Sequence, residues 1–404
     1  MTNRGEVAVR NDDVVVISAC RTPIGNFGGA FREMPAERLL ATTFTETLRR
    51  SGIAPEWVDQ VIAGHASGRT DALNIARLAW LIAGFPENVP GFSVEMMCGS
   101  GLRAIQLAVQ SIQTGEAQFA LAGGVEVMSR YRYVAQDGIR WGYRMGSTSF
   151  LDTLDETFTD PLTQERGAIV AERLAEKYGV TREDADRFAW ESHQRAVAAR
   201  ENGRFDEEIF PVTVADKRGE REIRADEHPR KETTLEALAR LPAAFQEGGT
   251  VTAGNASGIC DGAAALLLTT ADQARALGKE PLAKVVTSAF VAVDPRWFGI
   301  APAPSIRQAL DRAGLRMADV DLYEINEAFA SQYVAVEREL QLDRNQVNVN
   351  GGAIALGHPV GCSGARLPVT LLYEMRRRNA SIGVASLCVG GGLGITTVFE
   401  GGVD

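Results

Sequence analysis

Cys98-Gly-Ser-Gly-Leu-Arg103 and Gly361-Cys-Ser-Gly-Ala-Arg366 carry one pattern twice. Each follows a strand-like run, Phe92-Ser-Val-Glu95 in the first case and Val347-Asn-Val-Asn350 in the second. Each opens a helix with apolar residues at helical spacing. Each helix leads into a small-residue strand with a glycine turn, Ala120-Leu-Ala-Gly-Gly124 and Ala385-Ser-Leu-Cys-Val-Gly-Gly391. Recurrence of the unit predicts two similar α/β halves packed together, with one reactive-looking element from each facing a shared site.

The flanking sequence extends the alternation. Val14-Val15-Val16-Ile17 is a β-branched run that reads as a buried strand. Residues from about Glu37 to Ser51 are apolar at helical spacing and stop near Gly52. Val61-Ile62-Ala63-Gly64 is a second strand, Gly101 to Thr114 a helix, and Phe119 to Ala122 the strand after it. Strands alternating with helices predict α/β layering with buried sheets. The middle, about Ser129 to Thr250, is richer in charge and aromatics, with a charge-dense run from Asp216 to Glu232. It holds a helix over Gln164 to Tyr178 and another starting near Thr181, where Thr181-Arg-Glu-Asp184 fits a capping box. It reads as an insertion sitting on the α/β body.

The chain has 404 residues, room for two or three domains at roughly 100–200 residues each. A composition of 45% hydrophobic and 23% charged residues is that of a soluble globular protein. The net charge of -10 argues against a nucleic-acid partner, which needs a basic face. It leaves room for an anionic ligand held by local charge. Apolar stretches fall short of the roughly 20 residues of a membrane span. Met1 to Asp12 lacks the apolar core of a signal peptide and reads as a frayed polar tail of a cytoplasmic protein. The five cysteines are odd in number and none has a partner at C-x-x-C spacing, so no metal site is expected.

Chemistry concentrates in a few residues. Cys98 stands before Gly-Ser-Gly at a helix start, where the dipole favours thiolate and lowers the pKa; a small core cysteine is the alternative. His358 lies in the glycine-rich Asn350 to Gly364 stretch, and Pro359 restricts it to extended conformations. Such an imidazole can deprotonate a thiol or donate to an oxyanion. The other histidines, His65, His193 and His228, read as solvated or structural. Cys388 precedes Val-Gly-Gly-Gly-Leu-Gly394, at a strand end beside accessible backbone N–H groups, and suits acid/base work on an α-proton. Asn326, after the strand Val320 to Ile325, either positions a water or caps the next helix, the second being the plainer reading. Val251-Thr-Ala-Gly-Asn-Ala-Ser-Gly258 is a small polar loop able to lie along an extended ligand arm.

Together these segments resemble the thiolase family. The resemblance runs from Val14-Val15 to Phe399. It includes, in family order, Cys98-Gly-Ser-Gly, Gly123-Gly-Val-Glu126, the Ala253-Gly-Asn-Ala-Ser-Gly loop, Asn326-Glu-Ala-Phe, Gly357-His-Pro and Cys388-x-Gly-Gly-Gly. It implies two duplicated βαβαβαββ halves in a five-layered α-β-α-β-α body with an inserted loop domain. The halves would be 1–128, completed by about 259–280, and 281–404, with the insertion over 129–258. It implies ping-pong acyl transfer between acyl-CoA thioesters through an acyl-Cys98 intermediate, with His358 activating Cys98 and Cys388 handling the α-proton. His358 and a water on Asn326 would form one oxyanion hole, and the N–H groups of Cys98 and Gly390 the other. By position, Arg230, Leu241, Phe245, Ala253 and Ser257 would contact coenzyme A, a substrate or product; no cofactor is tightly bound. A homodimer or homotetramer is implied.

Three departures from the family pattern concern acyl specificity. Glu165-Arg166-Gly167 stands where short-chain members have His-Met-Gly, Glu95 where Asn is frequent, and the segment Arg130 to Phe150 is unusually aromatic and basic. An Arg166 paired within the protein would only reshape the acyl pocket. An unpaired one would favour an acyl group bearing a carboxylate. Two other functions share the fold. A decarboxylating ketoacyl synthase would need no second cysteine. A non-catalytic carrier or scaffold would have lost one of Cys98, His358 or Cys388.

Overall fold

The computed structural model describes residues 10–68, 72–136, 138–216 and 219–402. Most of the Met1–Asp12 tail lies outside these residues, as do 217–218 of the charge-dense run. The first half comprises β1 (Val14–Arg21), α1 (Ala36–Ser51), β2 (Gln60–Gly64), α2 (Ile75–Ile82), β3 (Gly91–Val94), α3 (Ser100–Gln113) and β4 (Ala120–Val127). After the insertion, with α4 (Gly167–Tyr178) and α5 (Arg182–Glu201), β5 (Cys260–Thr270) returns to it. The second half comprises β6 (Ala283–Ala292), α6 (Pro302–Ala313), β7 (Leu322–Ile325), α7 (Ala330–Leu340), α8 (Val360–Arg378), β8 (Ile382–Val389) and β9 (Leu393–Glu400).

The strands join in the order β7-β8-β9-β6-β1-β5-β4-β2-β3. In each half, parallel pairs (β3, β2 and β4; β7 and β8) give way to antiparallel ones (β4, β5 and β1; β8, β9 and β6). The halves meet where β1 and β6 pair antiparallel, Val15 opposite Lys284. Three apolar clusters separate the layers. One lies between α1, α2 and the strands of the first half, one around α3 and α8 between the strands of the two halves, and one under α6 and α7. This is the five-layered α/β body.

One strand of the repeat is missing. Val347 to Asn350 pairs with β7 only through a single parallel bridge, Tyr323 to Val347. Asn348 is the cause. Its φ is +45°, and its side chain takes over the role of strand backbone, with Oδ1 accepting from Ile325 N (2.9 Å) and Nδ2 donating to Ile325 O (2.8 Å).

The central helices touch through glycines. A Cβ on Gly101 would fall 2.7 Å from Ala365 N, and one on Gly364 would collide with Leu102 N. This close approach fixes Cys98, just before α3, against His358, just before α8. Gly364→Ala is expected to cost about 1–3 kcal/mol by overpacking, read as a lowered thermal unfolding midpoint. An unchanged midpoint would mean that the helices can separate freely.

The insertion is anchored by buried charge. Arg21 on β1 donates to Glu208 (2.6 Å) and to Asp226 (2.7 and 3.0 Å). Phe188 of α5 stacks on Tyr333 of α7, with centroids 4.2 Å apart. The capping box at Thr181 and Asp184 is present as read. α4 begins at Gly167, three residues later than its pattern suggested, because Gln164 is left-handed with φ +57°. The aromatic segment forms a hairpin, Tyr133–Ala135 against Phe150–Asp152, that leaves Tyr133, Trp141, Tyr143 and Phe150 exposed.

Candidate active site

Cys98 occupies a single 3-10 turn, Met97–Gly99, feeding α3. Met97 before it is left-handed, with φ +45°. Three hydrogen bonds hold this unfavourable turn: Met97 N to Glu95 Oε1 (2.9 Å), Met96 N to Ser100 Oγ (2.8 Å), and Ser100 Oγ to Met97 O (2.7 Å). Glu95, a departure from the family pattern, thus supports the turn that presents Cys98.

Cys98 Sγ lies 3.2 Å from His358 Nε2. On the other side of the ring, His358 Nδ1 is 2.6 Å from Ser363 Oγ, and that hydroxyl donates to Pro359 O at 3.0 Å. With its one proton so used, Ser363 accepts from Nδ1–H, which leaves the Nε2 lone pair facing the thiol. Asn326 Nδ2 is 3.3 Å from the same Nε2, and Asn326 Oδ1 is buried without a hydrogen-bond partner among the described residues. Asn326 is not a helix cap, because α7 begins at Ala330 with Phe329 in the cap position.

Burial sets the charges. The His358 imidazole is pushed down to about 3 by desolvation, then by the Arg366 charge, and stays neutral at physiological pH. The helix start was expected to lower the Cys98 pKa. Instead burial pushes the thiol up to about 12, outweighing the backbone N–H groups of Cys98 itself and of Gly390, which pull it down. The resting pair is therefore thiol and neutral imidazole. Cys388 ends β8 fully buried; desolvation raises its thiol most, and the charge of Cys98 raises it further. Cys98, His358, Asn326, Cys388 and Gly390 are thus gathered at one place.

Two supporting residues escaped the sequence reading. Ser363 sits in the first turn of α8, five residues after His358, a spacing that carries no signature of its own. Glu126, noted only as part of a motif, is fully buried and accepts from Gly361 N (3.0 Å) and Ala66 N (2.9 Å). It caps the start of α8 from the other half, and it also faces His65 Nε2 at 3.3 Å. His65 and His193 are buried, in keeping with structural roles.

The five positions matched to coenzyme A contacts lie in the insertion and its exit loop. Gly254 packs directly on Leu241, Ala253 and Phe245 are exposed, and Ser257 N donates to Ala328 O (3.0 Å) beside Asn326. Arg230 stands exposed on the preceding segment, where its backbone N–H donates to His193 Nδ1 (3.2 Å). Arg166 pairs with Asp155 at 2.5 Å and Glu165 with Arg173 at 2.7 Å, so the arginine finds its partner within the protein.

Comparison with known proteins agrees with this architecture. The thiolase N-terminal domain model matches residues 14–272 and the thiolase C-terminal domain model residues 279–401. The chain is 46% identical over 394 residues to an acetyl-CoA acetyltransferase of Syntrophomonas wolfei subsp. wolfei, covering 96% of this chain and 99% of the relative. It superimposes on the Bacillus anthracis acetyl-CoA acetyltransferase with a TM-score of 0.95 at 46% identity, covering 96% and 98% of the two chains. It superimposes on human mitochondrial 3-ketoacyl-CoA thiolase in complex with CoA with a TM-score of 0.93 at 41% identity, covering 98% and 99%. The chain belongs to the thiolase family, whose members are acyltransferase enzymes.

Proposed function

We propose that this thiolase joins acyl-CoA and acetyl-CoA into 3-ketoacyl-CoA, or cleaves 3-ketoacyl-CoA with coenzyme A, through an acyl group carried on Cys98. The observation that carries the reading is the 3.2 Å contact between the Cys98 thiol and the unprotonated Nε2 of His358. As Sγ attacks the thioester carbonyl carbon, its proton passes to Nε2; the coenzyme A thiolate then leaves and takes that proton. The new oxyanion faces the N–H groups of Cys98 and Gly390. Cys388 then gives its thiol proton to the freed Nε2 of His358 and, as the thiolate, takes the α-proton of acetyl-CoA. The enolate, held by the Nε2–H of His358 and a water on Asn326, attacks the acyl carbon, and Cys98 departs and takes back the Nε2 proton. Neutral resting groups suit this sequence, because charge appears only during transfer.

Arg230, Leu241, Phe245, Ala253 and Ser257 hold coenzyme A in this reading, which the presence of CoA on a 41% identical neighbour supports. Simple acyl chains fit an Arg166 neutralised by Asp155. The halves are 1–128 with about 259–280, and 281–404; the cover is 129–258. The protein works as a homodimer or homotetramer. Supporting this, β3 is an edge strand carrying an exposed Phe92, and Leu73, Leu81 and Ile82 on and beside α2 are exposed as well. Light scattering is expected to give at least twice the chain mass. Five free cysteines suit the reducing cytoplasm, and among the described residues no helix is long and apolar enough to cross a membrane.

The direct test is chemical. After incubation with acetyl-CoA or a 3-ketoacyl-CoA, peptide mass mapping is expected to find the acyl group on Cys98. An acyl group on Cys20, Cys260 or Cys362 would sink the assignment.

A further inference from the structure

The two segments matched to coenzyme A contacts are separate in sequence, and something must keep them in register. Direct packing is one part. Gly254 lies against Leu238 and Leu241, where any Cβ would fall about 2.5 Å from their methyl groups. The other part is a polar chain reaching out of α5. Arg182 Nη2 donates to the carbonyls of Leu238 (2.6 Å) and Leu241 (3.0 Å), which end the short helix Leu235–Ala239 and the turn after it. Arg182 Nε donates to Asp186 Oδ2 (2.8 Å), one helical turn further along α5.

Asp186 Oδ1 in turn accepts from Asn255 Nδ2 (2.8 Å). Asn255 is buried and spends every side-chain group. Its Nδ2 also donates to Thr250 O (2.9 Å), and its Oδ1 accepts from Thr252 N (2.8 Å). Its backbone carbonyl accepts from Ala330 N (2.8 Å), at the start of α7 just beyond Asn326-Glu-Ala-Phe329. Asp186 is a buried carboxylate, costly without partners, and both of its oxygens are spent on this chain. The guanidinium fork suits the job because one planar group reaches a carboxylate and two carbonyls at once.

We propose that Arg182 and Asp186 are positioning residues for coenzyme A: together they clamp the Leu238–Phe245 segment to the Thr250–Ser257 loop and fix the spacing of the nucleotide and pantetheine contacts. Neither residue touches the reacting atoms. The inference rests on the reading that these two segments hold coenzyme A.

The test separates coenzyme A affinity from chemistry. Arg182→Met removes the hold on both carbonyls and leaves the Asp186–Asn255 link. Asp186→Asn keeps an acceptor for Asn255 but sets an amide N–H against Arg182. For both, KM for coenzyme A in thiolysis of the 3-ketoacyl-CoA that wild type cleaves fastest is expected to rise about tenfold, with kcat within about twofold. Acylation of Cys98 by an N-acetylcysteamine thioester, which lacks the nucleotide, is expected to keep the wild-type rate. Arg182→Lys, which can reach one carbonyl, should recover part of the loss. An unchanged KM in both variants overturns the proposal. So does a parallel loss with the truncated thioester, which would mark a general structural role. Ala253→Trp serves as control. If it leaves KM for coenzyme A unmoved, the coenzyme A site itself is misplaced; if it raises KM while Arg182→Met does not, only the clamp is refuted.

Discussion

Cys388→Ser is expected to acylate at Cys98 at close to the wild-type rate and to lose condensation by about 10²–10⁴-fold, the effect of removing a positioned general acid/base. The prediction follows from where the two thiols sit. Cys98 has the imidazole at 3.2 Å and two N–H groups pulling its pKa down, whereas Cys388 ends a strand, fully buried, with its pKa raised first by burial and then by the charge of Cys98. Cys388 must ionise before it can take the α-proton. A serine hydroxyl is a far weaker acid than a thiol and cannot follow. Single-turnover acylation measured beside steady-state condensation reads both halves. Unimpaired condensation in the variant, or an acyl group found on Cys388, would remove the acid/base role.

Much of this was legible in the sequence because it depends on local pattern. The β-branched run at Val14, the periodicity from Glu37 to Ser51 and the capping box at Thr181 each act within a few residues, and each forms as read. The repeat of Cys98-Gly-Ser-Gly in Gly361-Cys-Ser-Gly foretold two similar α/β halves packed together. What escaped depends on partners distant in sequence. Val347 to Asn350 has strand composition, but the Asn348 side chain occupies the Ile325 backbone groups that a strand would use. Glu126 caps a helix 235 residues away, and no local rule finds such a partner. The direction of the Cys98 shift was misread for the same reason. Position at a helix start is visible in the sequence, whereas the degree of burial, which outweighs it here, comes only with the assembled halves.

Ser363→Ala is the sharper probe of the same site. With its proton committed to Pro359 O, the Ser363 hydroxyl is the acceptor that keeps the His358 proton on Nδ1. Without it the ring is free to carry the proton on Nε2, where it blocks transfer from Cys98. Acylation is expected to slow about 10–100-fold, as when a group orienting a functional histidine is lost. His358→Ala, which removes base and oxyanion donor together, should cost more. Ser363→Thr, which keeps the hydroxyl, should recover part of the rate. The pH profile of acylation supplies an independent check. An ordinary imidazole with a pKa near 6.5 would be about 97% protonated at pH 5 and would cost about thirty-fold in rate. His358 is held down to about 3 and the Cys98 thiol up to about 12, so the neutral pair persists between those limits. Wild-type single-turnover acylation is therefore expected to be flat from pH 5 to pH 9, each point measured after brief exposure to the test pH. A tenfold fall between pH 7 and pH 5, reversed on return to pH 7, would mean that His358 titrates as an exposed histidine does and that the tautomer argument does not describe the working site.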